Sequence, residues 1–207
     1  MRYTNVNPGE HPEYIVVGLG NPGSRYDNTR HNVGFQVVDY IDSQCDVSRG
    51  CKRKLHSALC DKCVLDGYIL YIVKPQTFMN NSGMAVQDVL NYYKMTSRQL
   101  IVIHDDITLP VGEFCIKKGG GSAGHNGLKS IIQHIGNGDF VRIRVGVGIK
   151  PDNWEMSKYV LSKISPNESK LIENRFADIK NAMGDMFKYS IDYAMKKYNS
   201  NGANKGD

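Results

Sequence analysis

Four apolar residues in succession, Leu100-Ile101-Val102-Ile103, run straight into the polar triplet His104-Asp105-Asp106. A short unbroken apolar run of this kind suits a strand covered on both faces, the situation of a central strand in a parallel sheet. Parallel neighbours require crossover connections, so helices have to alternate with strands along such a chain. The rest of the sequence supplies them. Tyr14–Val17 reads as a second buried strand, closed by Gly18-Leu19-Gly20, with Pro22 and Gly23 extending the loop. Thr29 is placed to cap a helix that carries Val33, Gly34, Val37, Val38 and Ile41 on one face. Tyr68–Val73 reads as a strand, Ser82–Tyr93 as a helix, Gly119–Gly124 as a glycine-rich loop, Gly127–Ile135 as a helix and Phe140–Val147 as a strand. Ser165-Pro166-Asn167-Glu168 fits a capping box opening one long helix with Ile172, Phe176, Ile179, Met183 and Phe187, and Asn199–Asp207 reads as a frayed tail. The expectation is one α/β domain over residues 1–207, its core about 14–198, with a mixed, largely parallel central sheet flanked by α-helices.

Composition narrows the class. With 41% hydrophobic and 23% charged residues, the 207-residue chain is neither disordered nor a membrane protein, and no apolar run approaches the ~20 residues needed to span a bilayer. Met1–Pro12 holds Asn, Pro, Glu and His where an export signal needs an apolar stretch, so a cytoplasmic location is expected. The five cysteines, Cys45, Cys51, Cys60, Cys63 and Cys115, are then read as free thiols. Cys60-x-x-Cys63 with Cys51 and His56 has some look of a zinc site, but Leu59, Val64 and Leu65 interleave it with strand-like residues and no second pair follows, which argues for no metal. A net charge of +5 suits a polyanionic partner and equally suits ordinary surface solubility.

Two motifs mislead. Gly18-Leu19-Gly20-Asn21-Pro22-Gly23 satisfies the dinucleotide-binding pattern after a strand, yet Pro22 interrupts the helix start and Asp39 and Asp42 fall inside a helix instead of ending the next strand. Gly120-Gly121-Ser122-Ala123-Gly124 matches a serine-hydrolase elbow, but three glycines make a poor strand end and no acid followed by histidine comes after Ser122.

What remains is a polar set at the ends of apolar segments: Asn21, His31 and Asn32, then Asn80 and Asn81, then Asp105, then His125-Asn126. Ligands of open α/β sheets gather where strand ends meet helix starts, so these loops are candidates for one cleft. Taken singly, each is as well explained as a cap or turn residue. Read together, Gly18–Gly23, Tyr26, Thr29-Arg30-His31-Asn32-Val33-Gly34, Lys74–Gly83, His104-Asp105-Asp106 with Leu109-Pro110-x-Gly112, Gly124–Lys129 and Phe140–Gly148 resemble the bacterial-type peptidyl-tRNA hydrolases, in order from about Tyr14 to Ser165.

That resemblance implies a monomeric, metal-free and cofactor-free enzyme that hydrolyses the ester between a peptide and the 3′ end of tRNA released by abortive translation. It places His31, Asp105 and Asn21 in catalysis, and Tyr26, Phe78, Met79, Asn80 and Asn126 around the substrate. An imidazole is the side chain best poised to deprotonate water near neutral pH, so His31 is the expected base, with Asp105 holding its other ring nitrogen. A helix N-terminus behind His31 is expected to disfavour the imidazolium. Carboxamides donate and accept without adding charge, which suits Asn21, Asn80 and Asn126 to amides, the tRNA end and the attacking water. Lys117, Lys118, Lys129, Arg142, Arg144 and Lys150 are candidate phosphate contacts. Cys115 stands where the family usually has a basic residue, and Ala123 replaces a frequent glycine. The alternative is an RNA-binding relative that keeps the scaffold without catalysis.

Overall fold

The computed structural model describes residues 12–45, 53–55 and 57–203. Its strands are β1 (Glu13–Gly18), β2 (Arg53–Leu55), β3 (Ala58–Leu65), β4 (Tyr68–Pro75), β5 (Leu100–Asp106), β6 (Phe114–Lys118) and β7 (Val141–Gly146). Its α-helices are α1 (Val33–Gln44), α2 (Ser82–Tyr93), α3 (Asn126–Ile135), α4 (Met156–Val160), α5 (Pro166–Glu173), α6 (Phe176–Lys188) and α7 (Ile191–Ala203). The sheet runs β2-β3-β4-β1-β5-β7-β6, with β4, β1, β5 and β7 parallel and β2, β3 and β6 antiparallel to their neighbours. The expected mixed α/β sheet is therefore present, and β5 lies in its interior between two parallel neighbours, β1 and β7.

Strand alternation sorts the apolar residues into two cores. Val16, Ile101, Ile103 and Ile143 face α1, α6 and α7, whereas Ile15, Val17, Leu100 and Val102 face α2 and α3. Among the described residues no helix is long and apolar enough to cross a membrane. The first glycine run is explained by packing: a Cβ on Gly34 would sit 2.5 Å from Leu19 N and O and from Ile103 O, and one on Gly18 would sit 2.3 Å from Gly34 O. Helix α1 rests almost backbone to backbone on β1 and β5, which brings the turn before it to the ends of both strands.

Two expectations need correction. The expected long helix is two, α5 and α6, joined by a tightened turn in which Arg175 N–H donates to Ile172 O. Ile172, Phe176, Ile179, Met183 and Phe187 are all buried in the same core, so apolar periodicity passes through the break unchanged. The capping box at Ser165 and Glu168 is present. Asn199 is not tail but part of α7, and its carboxamide takes both backbone groups of Ile116, Nδ2 donating to the carbonyl and Oδ1 accepting from the amide, each at 2.8 Å. This satisfies part of the outer edge of β6, which sequence reading did not identify as a strand. Finally, Cys60 and Cys63 lie on opposite faces of β3 and belong to different cores, so they cannot ligate one ion. Cys51 and His56 lie outside the described residues.

Candidate active site

His31 lies in a 3₁₀ turn, Arg30–Asn32, that leads into α1, instead of in the first turn of the helix itself. Thr29 does not cap: its hydroxyl donates back to Tyr26 O at 2.8 Å. The turn is fixed from behind by buried Arg30, whose guanidinium donates to Ser162 Oγ (3.2 Å), to Glu168 Oε1 (2.8 Å) and to Val147 O, and lies over the Tyr159 ring. From the front, Asn32 and Asn21 form a reciprocal pair, Asn21 N–H donating to Asn32 Oδ1 and Asn32 Nδ2 donating to Asn21 O, each at 2.9 Å. Both chain neighbours of His31 are thereby held in place.

Asp105, at the end of β5, is 3% exposed and accepts on one oxygen from two imidazoles: His31 Nδ1 at 2.8 Å and His125 Nε2 at 3.0 Å. Burial raises its pKa, but the two histidines outweigh burial and hold the carboxyl well below its ordinary range. An ionised Asp105 requires both facing ring nitrogens to carry protons. For His125 the assignment closes, because its Nδ1 accepts from Leu128 N–H at 3.3 Å and so caps α3. For His31 it leaves Nε2 unprotonated. Burial pulls the His31 pKa down, and Asp105, by charge and hydrogen bond, more than reverses this and raises it above 6.5. The expected lowering by a helix end is thus overridden by the carboxylate.

Asn21 Oδ1 is taken by Met79 N–H, from which it accepts at 2.8 Å. Its Nδ2 is the group left to donate. Met79 is buried, while Phe78 is 55% exposed and stacks edge-on with Tyr26 at 6.2 Å. Asn80 is exposed beside them, in the 3₁₀ turn Met79–Asn81 before α2. Asn126, also exposed, opens α3.

A cavity of about 490 Å³ extends from His31 and Asp105 past His104, His125 and Asn126 to Lys117, Arg142 and Arg144, with Gly121–Gly124 as one wall. The basic candidates are not equivalent. Lys117 is exposed and pairs in register with Arg142, on the face turned to this cavity. Lys118 is the next residue of β6 and points to the other face, with Ile116. Arg142 is 3% exposed and grips the carbonyls of Gly120 and Gly121, so it holds the loop and is not free to take a phosphate. Arg144 donates to Asp106 Oδ2 at 2.6 Å and to Thr108 at 3.1 Å. Lys150 is turned onto the carbonyls of Pro151 and Trp154, and Lys129 lies exposed on α3. Cys115 is directly opposite Arg144 on the cavity face. Ala123 has φ +47°, the left-handed region, which explains why glycine suits that position. Ser122 follows a loop and not a strand end, as its rejection as a nucleophile requires.

The model of the family described as peptidyl-tRNA hydrolase matches residues 15–206. The chain belongs to that family. A peptidyl-tRNA hydrolase of Agathobacter rectalis is 42% identical over 187 residues, covering 90% of this chain and 100% of the relative. That of Lachnoclostridium phytofermentans is 39% identical over 186 residues, covering 90% and 96%. Among solved structures, the peptidyl-tRNA hydrolase of Acinetobacter baumannii superimposes with a TM-score of 0.83 at 30% identity, covering 92% of this chain and 97% of that one. From sequence alone neither His104 nor His125 carries a role. The capping position of His125, just before a helical pattern, was the available signal.

Proposed function

We propose that this chain hydrolyses the ester joining a peptide to the 3′ end of tRNA, with His31 Nε2 as general base. The observation that carries the assignment is the 2.8 Å contact from His31 Nδ1 to a buried, ionised Asp105 at the head of the cavity. Asp105 fixes the tautomer, so the free nitrogen is the one that can take a proton from water. The water attacks the ester carbonyl, the imidazolium formed is stabilised by Asp105, and its proton then passes to the departing ribose oxygen. Asn21 Nδ2, oriented by the bond from Met79 to its oxygen, is the donor for the oxyanion or the water.

The seven strands share one sheet and the cleft is built within one chain, which supports a single catalytic unit acting as a monomer. Cys45, Cys60, Cys63 and Cys115 are not joined in disulfides, in keeping with the reducing cytoplasm where stalled translation leaves its products. His31, Asp105 and His125 bring three potential metal donors within 4.8 Å of one another, but the protons on the two ring nitrogens already occupy the space facing Asp105. On this reading the three groups share protons and hold no metal, so a chelator leaves the rate unchanged, and loss of activity on chelation refutes it. Lys117 and Arg144, which line the cavity, and Lys129, outside its lining, contact tRNA phosphates; Asn126 lines the cavity, and Tyr26, Phe78, Met79 and Asn80, outside its lining, contact the acyl and nucleotide ends as substrate extends beyond it.

A free aminoacyl-tRNA carries an ammonium where peptidyl-tRNA has an amide, and desolvating an unpaired cation costs far more than hydrogen-bonding an amide. With Asn80 as the amide reader, Asn80→Ala narrows the rate gap between N-acetyl-aminoacyl-tRNA and aminoacyl-tRNA by about tenfold, the value of one hydrogen bond. An unchanged ratio refutes that role. The reaction itself is tested by release of tRNA from N-acetyl-aminoacyl-tRNA by the purified protein; binding without release is the outcome of the non-catalytic alternative.

A further inference from the structure

Among the described residues, four buried side-chain atoms lack a hydrogen-bond partner, and two of them belong to residues lining the cavity: His104 Nε2 and Arg142 Nε. Only the first is an acceptor. His104 is 4% exposed and its Nδ1 lies 2.7 Å from Asp105 O. A carbonyl can only accept, so Nδ1 carries the proton and Nε2 presents a bare lone pair. Burial first, and then His125, push the His104 pKa down to about 3, so the ring stays neutral throughout the working range. An orphaned acceptor in a buried site is costly unless something arrives to satisfy it.

Its position says what arrives. His104 pairs in register with Arg144 on β7, which pairs in turn with Cys115 on β6, two residues from Lys117. On its other side the His104 ring meets His125 edge-on at 4.9 Å, and His125 shares Asp105 with His31. His104 therefore lies between the reacting pair and the basic groups that take phosphate. In a bound tRNA end, the terminal ribose lies between the scissile ester and the phosphates. Ester and phosphate oxygens only accept, and they have nothing to offer a second lone pair. The hydroxyl left free beside the esterified oxygen is a donor.

We propose that His104 Nε2 accepts a hydrogen bond from that ribose hydroxyl, making His104 a specificity-determining contact for a ribonucleotide terminus. This rests on the reading of the cleft as a peptidyl-tRNA hydrolase site. A site built to pair a hydroxyl rejects the analogue that lacks it, because its own buried acceptor is left unpaired. It also distinguishes RNA from DNA at this one sugar.

The test compares kcat/KM for N-acetyl-aminoacyl-tRNA ending in adenosine and in 2′-deoxyadenosine. The unmodified enzyme prefers the ribose terminus by about tenfold or more. In His104→Asn the amide N–H stands in for Nδ1 and still reaches Asp105 O, but Nε2 is gone; this variant slows on the ribose substrate and the preference falls toward one. His104→Gln, whose oxygen can take the place of Nε2, retains a preference, and it carries the comparison if the asparagine variant fails to fold. Equal rates for the two substrates with the unmodified enzyme overturn the proposal, as does a preference that survives in His104→Asn. If neither substrate is cleaved, it is the hydrolase reading that fails.

Discussion

Asp105 holds two imidazoles on one oxygen, and this arrangement sets the pH behaviour of the site. As the proposed base, His31 must be neutral to act, and its pKa is raised above 6.5 by Asp105, so activity should rise with pH through that raised value. In Asp105→Asn the raising influences vanish while burial, which lowers the pKa, remains. The acid limb of the kcat/KM profile then moves to lower pH, and kcat falls by about 10²–10⁴ because the tautomer is no longer enforced. A limb that stays in place, or moves up, contradicts the pairing. His31 and Asp105 stand out in the sequence as polar residues at segment ends, but each alone reads as well as a cap or turn residue, and only the family resemblance singles them out. His125 was harder to read, since a histidine ahead of a helix looks like a cap; here it is one, with its second nitrogen on Asp105. The raised pKa was not legible at all, because it arises from a contact 74 residues away in the chain.

Helix α1 delivers His31 by resting on β1 and β5 through Gly18 and Gly34. A methyl group at position 34 meets backbone atoms at 2.5 Å on two segments, none of which can rotate away. Gly34→Ala is therefore expected to cost roughly 1–3 kcal/mol in stability by overpacking, and to depress kcat by displacing the turn that holds His31. Thermal unfolding and kcat measured on the same preparation check both; unaltered values show that the close approach is not needed. Elements with one clear period, such as Ser82–Tyr93, were read from sequence to their ends. Those whose ends depend on tertiary partners were not. The break at Arg175 leaves the apolar pattern intact, and α7 continues through Asn199 because the edge of β6 offers that carboxamide two backbone partners.

At the scale of the whole molecule, the excess of positive charge matters less than where it can reach. Of the basic candidates, Arg142 is consumed by the glycine loop, Lys118 points to the other face, Lys150 is turned onto its own loop, and Arg144 is partly neutralised by Asp106. Lys117 is exposed on the cavity face, and it is the group we propose as the principal phosphate contact. Lys117→Gln should weaken tRNA binding and reduce the slope of log K against log salt by roughly 0.7–0.9, the value of one lost phosphate contact. An unchanged slope removes Lys117 from the interface. Charge count could suggest a polyanion but could not sort these residues, since the sorting follows from strand alternation and from partners distant in sequence. The central claim is that the imidazole of His31 activates water. It is tested most directly by kcat for release of tRNA from N-acetyl-aminoacyl-tRNA in His31→Ala, with tRNA affinity measured alongside. The account predicts a loss of at least about 10²-fold in kcat with affinity retained; turnover within a few-fold of the unmodified enzyme contradicts it.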